Sequence, residues 1–132
     1  MHVNALDHVN IVTDDLDGTA AFYAALLDLD RRNAPPPLTP DNAQWMYDAA
    51  GRAILHINSR NAPSAFTRPI VAGPTGAIHH VALNCTGYTE SLARIEARGL
   101  AFACNEVTAI GLRQIFISDP NEVLLELNFF GD

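Results

Sequence analysis

The chain has 132 residues, 48% of them hydrophobic and 17% charged, which suits one compact domain with a hydrophobic core. No apolar run approaches the ~20 residues that span a bilayer, and a net charge of −7 without a basic cluster argues against nucleic acid and anionic membranes as partners. A small molecule is the expected partner, and because all 8 basic residues are arginines, Schiff-base chemistry and a Walker-type phosphate loop, which both need lysine, are excluded.

Residues 1–7 carry neither the basic start nor the apolar segment of a secretory signal, which predicts a cytoplasmic protein whose Cys85 and Cys104 are free structural thiols. Ala5 to Val12 alternate apolar and polar residues as a half-buried strand does, and Thr13, Asp14 and Asp15 supply turn and N-cap groups. A helix over 16–29 is expected next. Leu16, Ala20, Phe22, Tyr23, Leu26, Leu27 and Leu29 follow the three-and-four spacing of one buried face, and Pro35-Pro36-Pro37 prevents continuation. Gln44 to Tyr47 and Ala53 to Asn58 read as strands around a hairpin turn at 48–51.

Residues 61–76, punctuated by Pro63, Pro69, Gly73, Pro74 and Gly76, read as a linker between module one (1–60) and module two (77–132) of a single domain. In module two, Ala77 to Asn84 is strand-like and Tyr88 to Arg98 helix-like, with Gly99 as its stop. Leu100 to Cys104, Arg113 to Ser118 and Val123 to Phe129 then read as strands, the last two joined by a turn at 119–122. Strand, helix and strands thus occur twice, predicting an α+β fold in which each helix packs on one face of a curved sheet and the opposite face holds a ligand.

The repetition reaches single residues. Asp7-His8-Val9-Asn10-Ile11 aligns with His79-His80-Val81-Ala82-Leu83, and Ile54-Leu55-His56-Ile57-Asn58 aligns with Leu124-Leu125-Glu126-Leu127-Asn128. Equivalent positions therefore carry His8 and His80, and His56 and Glu126, with His79 as the neighbouring competitor of His80. Glu126 lies within the apolar run 123–127, and a carboxylate taken from water costs several kcal/mol unless it is neutralised, paired or bound to a metal. Two histidines and one carboxylate suit a borderline divalent ion and leave coordination positions open for substrate or dioxygen. An isolated strand histidine is more often merely hydrogen-bonded; it is the recurrence that favours metal.

Leu6-Asp7-His8-Val9, Asp15-Leu16, the run 22–27 (Phe-Tyr-Ala-Ala-Leu-Leu), His80-Val81-Ala82-Leu83 and the run 119–127 (Asp-Pro-Asn-Glu-Val-Leu-Leu-Glu-Leu) resemble the vicinal oxygen chelate superfamily. That superfamily includes glyoxalase I, extradiol dioxygenases, methylmalonyl-CoA epimerase and the fosfomycin and bleomycin resistance proteins. The resemblance implies two βαβββ modules forming a curved mixed sheet with a cavity, in a homodimer whose modules can exchange partners. It also implies one divalent metal (Fe, Mn, Ni, Co or Zn) held by His8 and His80 on the first strands and Glu126 on the last. His56 stands where glyoxalase-like members carry glutamate, and it reads either as a fourth ligand or as the catalytic base, roles that exclude each other in any one state.

The implied activity is metal-dependent lyase or isomerase chemistry, or extradiol-type dioxygenation, with His56 and Glu126 as catalytic candidates. The alternative is a non-catalytic drug- or metabolite-binding resistance protein. Trp45, Tyr47, Phe116 and Arg113 are the candidates for contact with substrate.

Overall fold

The alternating segment near the N-terminus pairs as β1 (Val9–Thr13), and Asp15 starts α1 (Leu16–Leu27) by accepting the Gly18 backbone N–H at 2.9 Å. The helix stops at Asp28, which takes a left-handed backbone at φ 53°. Then come β2 (Asp30–Asn33), β3 (Ala43–Tyr47) and β4 (Ala53–Ser59). Between β3 and β4, Asp48 Oδ1 accepts the backbone N–H groups of Ala50 and Arg52, while Gly51 supplies the positive φ of 77° that closes the hairpin.

The structure, a computed structural model that describes residues 1–64 and 69–131, divides into two units, Met1–Val71 and Ala72–Asp132. Part of the expected linker, 65–68, lies outside the described residues. In the first unit the strand order is β1-β4-β3-β2, with β1 parallel to β4 and the remaining pairs antiparallel. Helix α1 packs on β2, β3 and β4, and its Ala20, Tyr23 and Leu26 are buried, as are Ile11, Met46, Leu55 and Ile57 from the sheet. Strand alternation sends these four to the helix side, leaving Asn10, Trp45 and His56 on the helix-free face.

The second unit repeats this plan with β5 (Val81–Cys85), α2 (Tyr88–Ala97), β6 (Phe102–Val107), β7 (Leu112–Ser118) and β8 (Leu124–Phe130). Its order is β5-β8-β7-β6, again with the first strand parallel to the last. Ile95, Ile115, Ile117, Leu125, Leu127 and Phe129 are buried, and Tyr88 of α2 meets Phe129 edge-on with ring centres 5.3 Å apart. The fold is therefore α+β, built from two βαβββ modules as expected.

Two differences from the sequence expectations matter. Strand β2, Asp-Arg-Arg-Asn, has no apolar alternation and was not anticipated; it is an edge strand held by pairing with β3. The first strands also begin later than expected, because parallel pairing starts at Val9 with Leu55 and at Val81 with Leu125. His8 and His80 consequently precede β1 and β5 by one residue. No helix among the described residues is long and apolar enough to cross a membrane.

Candidate functional site

The ladder registers give the internal repeat a structural basis. Asn10 pairs with His56 in the first module, and Ala82 pairs with Glu126 in the second. His56 on β4 and Glu126 on β8 thus occupy equivalent positions of equivalent strands, on helix-free faces, with His8 and His80 at the mouths of the adjoining strands.

In the first module the rings of His8 and His56 stack with centres 3.8 Å apart and planes at 17°. The other side of His56 is covered by Trp45, also at 3.8 Å and inclined by only 1°. Cross-strand pairing of Trp45 with His56 produces this stack. Burial, reinforced by the neighbouring His8 and opposed by Asp7, lowers the His56 pKa to about 4, so its imidazole is neutral at neutral pH. Asp7 Oδ2 lies 2.6 Å from His8 Nδ1 and accepts a hydrogen bond from the tautomer protonated there, which leaves Nε2 as the ring's lone-pair donor.

In the second module His80 Nε2 stands 3.3 Å from Glu126 Oε2, and Glu126 retains only 14% side-chain exposure. His79 Nδ1 lies 3.0 Å from His80 Nδ1 and not against Glu126, so it acts as neighbour and His80 as the residue facing the carboxylate. The other carboxylate oxygen, Oε1, accepts hydrogen bonds from Gln114 Nε2 and Asn128 Nδ2, each at 2.9 Å. Gln114 also donates to Asn128 Oδ1 at 2.9 Å and accepts from Asn105 Nδ2 at 2.7 Å.

Sequence reasoning assigned no role to Gln114, Asn105 or Asn128. The available signal was strand parity: β7 alternation puts Gln114 and Phe116 on the face of Glu126, and the ladder sets Asn105 and Asn128 opposite Gln114. Parity also separates Arg113 from this face. Its guanidinium sits 4.0 Å above the ring of Tyr88 on α2, on the helix side of the sheet, so it is remote from the Glu126 carboxylate. Tyr47 shares the helix-free face with Trp45 and packs under Arg32, 4.4 Å from its ring centre.

A family model described as the glyoxalase/bleomycin resistance protein/dioxygenase superfamily matches residues 7–116. The chain belongs to this superfamily. Solved structures of similar fold include a glyoxalase/dioxygenase from Nostoc punctiforme, at 16% identity and TM-score 0.72, covering 98% of this chain and 92% of that one. The fosfomycin resistance protein FosX of Listeria monocytogenes is similar at 18% identity and TM-score 0.66, with 97% and 94% coverage. Lactoylglutathione lyase of Agrobacterium tumefaciens follows at 19% identity and TM-score 0.63, with 96% and 94% coverage. Among curated proteins, no sequence matches this one.

Superfamily membership raises the question of a divalent metal. The donor chemistry fits one: imidazole nitrogens, and a carboxylate with one oxygen saturated by amides while the other faces a histidine. Each module brings two such donors together, His8 with His56 and Glu126 with His80. Among the described residues no group of three or more His, Cys, Asp or Glu side chains is gathered closely enough to hold an ion.

Proposed function

We propose that the protein is a divalent-metal-dependent enzyme that chelates adjacent oxygens of a small substrate, with His8, His80 and Glu126 as the protein ligands. The observation that carries this reading is the pairing of potential ligands at equivalent register positions, each pair with its own orienting partner: Asp7 on His8 and the amides on Glu126. Such outer partners fix the tautomer and rotamer of ligating groups. The chemistry an ion supplies here is stabilisation of negative charge on two adjacent substrate oxygens.

The chain's own residues do the rest. Asp7 keeps the His8 proton on Nδ1, and the amides hold Glu126 with Oε2 exposed toward His80. His56, packed on both ring faces, can interact further only through the nitrogens at its edge, which suits a fourth ligand or a proton acceptor. Trp45, Tyr47 and Phe116 offer flat walls to a small organic substrate. The same reading carries a homodimeric cytoplasmic protein, and light scattering checks the first of these.

Elemental analysis of protein reconstituted anaerobically with iron, manganese, nickel, cobalt or zinc tests the proposal. About one metal per chain, lost in Glu126→Ala and His80→Ala, is the expected result. Preference for iron or manganese directs the search to oxygen uptake with catechols. Preference for nickel, cobalt or zinc directs it to hydrogen exchange beside a substrate carbonyl, abolished in His56→Ala if that residue is the base. Absence of specific metal in every preparation overturns the reading and leaves a metal-independent binding protein in its place.

A further inference from the structure

We infer that Gln114 is a positioning residue that restricts Glu126 to one-oxygen ligation, held in place by Asn105. The inference rests on the metal-dependent reading above and deepens it. Both hydrogens of the Gln114 amide are committed, one to Glu126 Oε1 and one to Asn128 Oδ1, while its carbonyl is tied to Asn105 Nδ2. The amide therefore has a single orientation, since turning it over would set oxygen against oxygen at both acceptors. With a second donor from Asn128, Glu126 Oε1 is saturated and Oε2 alone is left for an ion. Gln114 is only 8% exposed and sits on a strand paired on both sides, so the frame is anchored to the sheet and not to a loop.

The internal repeat supplies a control. Asn58 is the counterpart of Asn128, and it pairs across the ladder with Ala43, as Asn128 pairs with Gln114. There the amide is missing, and Asn58 Oδ1 is buried without a hydrogen-bond partner among the described residues. Satisfying the shared asparagine is thus not a requirement of the fold. The glutamine appears in the module whose strand carries a carboxylate, which is the module where a carboxylate needs orienting.

The test uses Co(II) alone as probe, with affinity measured by chelator competition and the visible ligand-field spectrum recorded for wild type, Gln114→Leu and Asn105→Ala. Asn105 is solvent-exposed, so its variant keeps the fold if Gln114→Leu does not. The expected outcome is about 10- to 100-fold weaker binding in both variants. In the loaded protein the absorption should also weaken, because a carboxylate freed to use both oxygens raises the coordination number. A purely structural glutamine would lower the melting temperature and leave the spectrum unmoved. Wild-type binding and spectrum retained in both variants overturns the positioning role alone. Failure of the wild type to bind Co(II) overturns the metal reading and this inference with it.

Discussion

Leu125 and Glu126 are neighbours on β8 that point to opposite faces, and replacing each in turn separates fold from site. Leu125 is 1% exposed on the helix side of its sheet. In Leu125→Asp, the burial of a leucine, about 1.5–3 kcal/mol, is lost, and a carboxylate without a partner in an apolar layer adds several more. The sum, about 5 kcal/mol or above, approaches the whole stability of a small domain. Glu126→Ala instead removes two hydrogen bonds onto Oε1, each worth about 1 kcal/mol, while Gln114 keeps its bonds to Asn105 and Asn128. Relief of a mostly buried charge offsets part of that loss, so about 1–2 kcal/mol is expected. Urea denaturation followed by far-ultraviolet circular dichroism in the presence of a chelator gives both stabilities, and elemental analysis of the folded fraction gives metal content. Comparable loss of stability in the two variants, or a folded Glu126→Ala protein that retains its metal, would refute the division of β8 into a structural and a ligating face.

The depressed His56 pKa links stability to acid. The folded state resists a proton that the unfolded chain accepts, so full stability holds above pH 6.5 and is lost as pH falls toward about 4. The shift alone would correspond to about 3 kcal/mol, which solvent screening of this part-exposed ring reduces to about 1 kcal/mol; a His56→Asn variant should lack that component of the acid slope in urea titrations. Arg113→Ala should cost about 0.5–1 kcal/mol through loss of the Tyr88 contact and leave metal content unchanged, whereas loss of metal would place Arg113 in the site after all. Asp15→Ala should cost about 1 kcal/mol by removing the α1 cap, read as a lower thermal midpoint with unaltered metal content.

What the sequence disclosed follows from which patterns are local. Alternation and helical spacing are local, so β4, β7, β8 and both helices are legible to within a residue or two from Leu55, Ile57, Ile115, Leu125 and Tyr23. The repeat placed His56 and Glu126 at equivalent positions because both sit in runs of alternating apolar residues. Strand β2 was illegible because its four polar residues owe their conformation to the neighbouring strand. The starts of β1 and β5 were misplaced because a parallel ladder is set by its partner, not by its own composition. Arg113 and Phe116 were both candidate wall residues, yet three residues apart on one strand they face opposite ways. The amide frame around Glu126 joins three strands, and only pairing registers reveal it.

Trp45 is the chain's single tryptophan, and it lies flat against His56. The protein thus has a built-in optical reporter: charging the imidazole, or drawing its electrons toward an ion, alters the excited indole directly beneath it. Quenching on acidification, and a change of emission intensity on titration with cobalt, should be readable from native protein without any label.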